Sequence, residues 1–150
     1  MRRLKKPLTI LVADDDPDDR LFIQEGFEEA RLLNQLRFVE DGEELMDYLL
    51  HRGAYRNTHN APTPGLILID LNMPRKDGRE ALREIKSHEK LRCIPVIVLT
   101  TSRAEEDIVR TYNDGVNSFI TKPVTFEKLV ELLHSLERYW FQVVELPRIH

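Results

Sequence analysis

Short apolar runs alternate with longer stretches of helical period along most of the chain, and no other feature limits the fold so tightly. The runs at 8–13, 65–71 and 95–100 are apolar almost throughout, 35–39 alternates, and 116–120 is weaker. Helical periodicity follows each of them. It starts near Pro17, at Asp41-Gly42, after Gly78, over 104–113, and from about Thr125 towards Trp140. In the first of these helices Leu21, Phe22 and Phe27 are expected on the core face; in the last, Phe126, Leu129, Val130, Leu133 and Leu136. Five strands alternating with five helices predict repeated βαβ units, hence a parallel sheet covered on both faces.

Strands buried on both faces read as continuous apolar runs, so the first, third and fourth belong at the centre and the second and fifth nearer the edges. That predicts a doubly wound α/β fold with a five-stranded parallel sheet in the flavodoxin-like order 2-1-3-4-5. The one long connection, 52–64, exceeds the usual length between a helix and a strand. A functional or mobile loop and a plain surface insertion remain equally open for it.

Composition excludes several classes. A chain of 150 residues, 41% hydrophobic, buries a core without covalent staples. No run nears the roughly 18 apolar residues of a membrane span. The basic start, 1–7, leads into only a short strand, so it reads as a solvated leader and not a signal peptide. The single cysteine, Cys93, forms no internal disulfide and no cysteine zinc site, and suits the cytoplasm. It is expected to be buried or half-buried. A net charge of -4 argues against a general nucleic-acid binder. Histidines 51, 59, 88, 134 and 150 show no metal-ligand spacing.

Ligands of such sheets bind beyond the carboxyl ends of the strands. There the first strand offers Asp14, Asp15 and Asp16, and the third offers Asp70. The fourth ends in Thr100, and Lys122 follows the fifth. Clustered carboxylates repel one another unless a cation lies among them, and hard oxygen donors without His or Cys point to Mg²⁺. A hydroxyl and an ammonium beside that cation make sense if a phosphoryl group also arrives, its charge spread over all three. Asp70, between the acid pair and Thr100, is the best nucleophile, since carboxylates form aspartyl phosphates. Singly, each residue has a plainer reading: acids welcome at a helix N-terminus, a turn aspartate, a turn hydroxyl, a surface lysine. Their joint occurrence at four strand ends carries the inference.

These same residues resemble the receiver domain of two-component response regulators (the CheY-like family). The resemblance rests on Ile10-Leu11-Val12-Ala13-Asp14-Asp15-Asp16-Pro17, on 68–78 with Asp70-Leu71-Asn72-Met73-Pro74, on 96–102 ending Thr100-Thr101-Ser102, and on Thr121-Lys122-Pro123. It spans roughly 8–137. It implies that a sensor histidine kinase phosphorylates Asp70, and that Asp14, Asp15, Asp70 and the backbone carbonyl of Asn72 hold Mg²⁺. Lys122 would contact the phosphoryl group, with a cis bond to Pro123. Thr100 and Phe119 would form the switch pair, Phe119 standing where many relatives carry Tyr. A hydroxyl drawn to the new dianion vacates space for an apolar ring, a two-state element biased by local charge. Asn72 and Ser102 flank the site at positions that tune dephosphorylation in this family. The long loop with Tyr55 and Asn57, the 70–78 block, the Thr100-Thr101-Ser102 run and the extended C-terminus further resemble stand-alone regulators paired with phytochrome-type kinases.

The expected organisation is a leader at 1–7, a receiver at 8–140 and a tail at 141–150, with no output domain. Leu132, Tyr139, Trp140, Phe141, Val143, Val144 and Leu146 are apolar residues left over after the core is filled. Such a run tends to be covered, so a symmetric homodimer through the fourth and fifth helices and the tail is expected; the tail folding back on its own domain is the alternative. Three rival functions compete. A flavin-mononucleotide binder needs phosphate donors after the first strand, where this chain has carboxylates. An aspartyl-phosphate phosphatase usually carries an acid two residues beyond its nucleophile, where this chain has Asn72. A receiver-like interaction module that never takes phosphate would not need all of Asp14, Asp15, Asp70, Thr100 and Lys122. The chain is accordingly not expected to be an enzyme beyond its own phosphorylation and dephosphorylation.

Overall fold

The computed structural model describes residues 8–57, 59, 61–71, 73, 75, 78–100 and 118–138, with Thr100, Ser118 and Phe119 described by their backbone alone. The helix expected over 104–113 and the tail 141–150 lie outside the described residues. Five strands, β1 (Thr9–Ala13), β2 (Gln35–Val39), β3 (Leu66–Ile69), β4 (Val96–Thr100) and β5 (Ser118–Thr121), form one sheet in the order β2-β1-β3-β4-β5. Every pairing is parallel. The expected fold class and strand order are both found.

Alternation along the central strands divides the core into two layers. Leu11, Ala13, Ile67, Ile69, Val96 and Val98 face helices α2 (Gly42–Leu50) and α3 (Gly78–Ser87), meeting Leu45, Met46, Ala81, Leu82 and Ile85. Ile10, Val12, Leu66, Leu68, Ile97 and Leu99 face α1 (Pro17–Glu29) and α4 (Phe126–Leu136), meeting Ile23, Phe27, Leu129, Leu133 and Leu136. Burying each Val, Leu, Ile, Met or Phe among them contributes about 1.5–3 kcal/mol. Parallel strands with helices on both faces require this continuous apolar character, which is why β1, β3 and β4 read so clearly.

The helix starts are fixed locally. Asp16 caps α1 by accepting from the Asp18 amide at 2.9 Å, with Pro17 in the first turn, where its missing N–H costs nothing. Asp41 caps α2 by accepting from the Glu44 amide at 2.8 Å, and Thr125 caps α4 through the Lys128 amide. Gly78 opens α3 because its backbone runs against the preceding turn: a Cβ there would lie 2.4 Å from the Asp70 carbonyl oxygen.

Three side chains depart from the sequence expectation. On α1 the buried stripe is Ile23, Gly26 and Phe27, and Leu21, expected on that face, is 54% exposed because it lies off the stripe. Phe126, expected in the core, sits at the first turn of α4 at the surface, its ring edge-on to Phe22 at 5.9 Å. Cys93 ends the short 3₁₀ turn before β4 and is exposed, not buried. Most described residues of the 52–64 connection are exposed, but its later part is pinned to the domain: Ala61 is fully buried, and the Tyr48 hydroxyl donates to the Pro62 carbonyl at 2.7 Å.

Candidate functional site

Parallel pairing puts the carboxyl ends of all five strands along one edge, and the singled-out residues sit there. The Asp14 amide donates to the Val39 carbonyl and the Asp70 amide to the Ala13 carbonyl at 2.9 Å, so both aspartates are held by the ladder just past the strands. Lys122 directly follows β5, and Thr100 closes β4 in register with Thr121. Phe119 pairs in register with Val98. The side chains of Thr100 and Phe119, and all of Asn72 and Ser102, lie outside the described residues.

Asp14, Asp15 and Asp70 each offer a carboxylate oxygen within 4.8 Å of the other two. Asp14 is 2% and Asp70 8% exposed, whereas Asp15 faces solvent. Three oxygens at this spacing, two of them sunk below the surface and one open to water, fit a hard divalent cation that keeps part of its hydration. Among the described residues no other group of three or more His, Cys, Asp or Glu side chains has such geometry.

Lys122 is the cluster's counter-ion. Its Nζ donates to Asp14 Oδ2 at 2.8 Å, Asp70 Oδ2 at 3.0 Å and Asp19 Oδ2 at 2.6 Å. Burial works against its positive charge, but the hydrogen bonds it donates to the three carboxylates outweigh that and hold its pKa above the usual lysine value. Burial pushes Asp14 the other way from most salt-bridged carboxylates: its pKa is raised, with the Lys122 hydrogen bond and the Asp16 amide opposing the shift. The Asp16 amide reaches Asp14 Oδ1 at 3.0 Å, and Arg20 Nη1 donates to the Asp14 carbonyl at 2.7 Å. The bond from Lys122 to Pro123 is trans, not the expected cis; the two forms of an X–Pro bond differ by only about 0.5–1 kcal/mol.

Two contacts near this edge carry no signal in the sequence, one at the site and one beside it. Asp19 is one of five aspartates among residues 14–19, and nothing local sets it apart; at the third position of α1 its side chain points back towards the preceding strand end. Arg75, in the loop after Asp70 with φ of 64°, reaches across to Asp41 at 3.6 Å and pairs with Glu43. Nothing in the sequence near Arg75 signalled partners more than thirty positions earlier. The acidic run thus divides its labour: Asp14 and Asp15 in the oxygen cluster, Asp16 at the cap, Asp19 on the lysine.

Comparison with known proteins agrees with the fold. The family model described as response regulator receiver domain matches residues 10–134. The chain is 39% identical over 141 residues to response regulator Rcp1 of Synechocystis sp., covering 94% of each protein. It resembles the crystal structure of the phosphorylated cyanobacterial phytochrome response regulator RcpA with a TM-score of 0.86 at 40% identity, covering 95% of this chain and 100% of that one. The crystal structure of the Mn²⁺-bound form of Rcp1 matches with a TM-score of 0.83 at 39% identity, over 95% and 100% of the two chains.

Proposed function

The chain belongs to the response regulator receiver domain family, and from that premise we propose that Asp70 is the phosphoacceptor of a two-component phosphorelay. The observation that carries this reading is the Asp14–Asp15–Asp70 oxygen cluster with Lys122 bonded to both of its buried members. A carboxylate oxygen of Asp70 attacks the phosphorus of a kinase phosphohistidine; the O–P bond forms, the P–N bond breaks, and the imidazole leaves. Lys122 supplies positive charge where the three phosphoryl oxygens gather.

Asp14, Asp15 and Asp70, with the Asn72 carbonyl, would hold Mg²⁺, which when bound offsets charge on the phosphoryl oxygens. The solved Mn²⁺-bound form of Rcp1 supports a divalent ion in this class of site. Thr100 and Phe119, on the neighbouring strands β4 and β5, form the switch pair. The site serves only this chain's own phosphorylation and dephosphorylation. The partner is a sensor histidine kinase; the likeness to the phytochrome response regulator RcpA supports a phytochrome-type one. Among the described residues no helix is long and apolar enough to cross a membrane, and a cytoplasmic site of action fits the single exposed thiol.

Residues 8–140 are the phosphoacceptor unit, flanked by 1–7 and 141–150. The apolar surplus over 139–146 supports a homodimer through the segment 104–113, α4 and the tail. Sedimentation as a monomer at tens of micromolar, with and without a phosphoryl mimic, excludes it.

The deciding experiment is incubation with Mg²⁺ and acetyl phosphate, read by intact mass. Wild type gains one phosphoryl group and Asp70→Asn gains none; phosphorylation that survives the substitution overturns the reading.

A further inference from the structure

Lys122 holds a saturated grip. An ammonium has three N–H donors, and here each faces a different carboxylate: Asp14, Asp70 and Asp19. Asp14 and Asp70 belong to the oxygen cluster. Asp19 does not. It comes from the first turn of α1, 103 positions away in the sequence, and makes the shortest of the three contacts at 2.6 Å. The lysine side chain is only 13% exposed, so water cannot readily replace a lost partner, whereas Asp19 is 38% exposed and its carboxylate stays hydrated if released.

From this geometry we infer that Asp19 is a positioning residue for Lys122, one that draws the ammonium towards α1 and competes with the phosphoryl group for it. The inference rests on the phosphoacceptor reading of Asp70 and adds a regulatory element to that site. A phosphoryl group on Asp70 brings three anionic oxygens to the cluster, and Lys122 donates to one of them only by giving up a resting partner. A cation among Asp14, Asp15 and Asp70 competes for Asp14 and Asp70. Asp19 lies outside that exchange, so its claim on the lysine persists in the loaded state. Each fraction of the ammonium's time spent on Asp19 is lost to the phosphoryl oxygens, which weakens the phosphorylated ground state.

The contrasting role for an acid at this place is generic: favourable charge at a helix N-terminus, where it stabilises α1 and nothing more. The two differ in sign. A helix-end charge, once removed, lowers stability without tightening the site around an anion. A competitor, once removed, tightens it.

Beryllofluoride, a non-covalent phosphoryl mimic, provides the probe, titrated at fixed Mg²⁺ and followed by ¹⁹F NMR. Asp19→Asn is expected to lower the half-saturating concentration roughly two- to five-fold, the range of a partly exposed ion pair. Asp19→Glu, which keeps a carboxylate in reach, returns it towards wild type. Asp18→Asn removes the same charge from the same turn without touching Lys122 and leaves the titration at the wild-type value. Unchanged or weaker binding in Asp19→Asn overturns the inference, as does an equal gain in Asp18→Asn. A wild type that takes up no beryllofluoride, or an Asp70→Asn variant that takes it up as well as wild type, overturns the phosphoacceptor reading itself. A wild type that binds through Asp70 alongside an unresponsive Asp19→Asn removes only the role of Asp19.

Discussion

Lys122 Nζ lies 2.8 Å from Asp14 Oδ2, although the two residues are 108 positions apart and sit beyond strands that do not pair with each other. The contact closes the carboxyl edge of the sheet from β1 across β3 to β5, and it places an ammonium among the oxygens suited to a divalent cation. Lysine and cation are therefore rivals for the same carboxylates.

Replacing the lysine exposes that rivalry. In cation-free buffer Lys122→Met leaves Asp14 and Asp70 buried without their counter-charge, and a loss on the order of 3 kcal/mol in unfolding free energy is expected. Added Mn²⁺ then stabilises the variant more than wild type, because the ion meets no ammonium to displace and binds more tightly. Urea titrations with and without the ion measure both effects. Equal gains in the two proteins would show that lysine and ion do not compete.

Tyr55 ties the long connection to α2 and gives it a pH signature. Its hydroxyl donates to Glu44 Oε2 at 2.5 Å. Burial raises its pKa above the ordinary 10.0, and the Glu44 carboxylate, which favours the protonated phenol, raises it further. With the native value above the unfolded one, the stabilisation is complete below pH 10.0 and is lost as pH climbs beyond it, where the unfolded chain sheds a proton that the native one retains. Tyr55→Phe is expected to cost about 1–2 kcal/mol at neutral pH, and the gap to wild type narrows at alkaline pH. Absorbance at the phenolate band should lose a late-titrating component in the variant.

Gly78 has a neighbour that cannot move aside. A Cβ on it would meet the Asp70 carbonyl oxygen at 2.4 Å and the Leu71 Cα at 2.6 Å, both backbone atoms. A Cβ on Gly26 would meet the Leu129 side chain, 2.5 Å from its Cδ2, and a side chain turns more readily than a strand exit. Gly78→Ala is thus expected to lose about 3 kcal/mol or more and Gly26→Ala less, the latter offset in part by better helix propensity. Only Gly78→Ala weakens divalent-ion affinity, since its strain falls on the turn that carries Asp70. Thermal melts and an ion titration on both variants distinguish them.

How much of this was legible beforehand depends on whether the signal is local. The runs 8–13, 65–71 and 95–100 announced β1, β3 and β4 because strands buried on both faces leave room for few polar residues. Asp14, Asp15, Asp70 and Lys122 could be named because strand ends are local features, and the ends of parallel strands share one edge by topology. Leu21 and Phe126 were misread for the opposite reason. A stripe on an amphipathic helix is about 100° wide, and which of several apolar residues falls inside it is decided by the neighbour against which the helix packs.

The sequence by itself determined the layered α/β sheet, its strand order and the set of groups at its reactive edge, since period and strand-end identity are written in neighbouring residues. Only the tertiary structure decided what those groups do to one another. It shared Lys122 among three carboxylates, singled out Asp19 from five aspartates in six positions, and laid Arg75 across to Asp41 and Glu43. These pairings depend on ångström separations between segments far apart in the chain. Such separations follow from strand register and helix packing, which no local run of residues encodes.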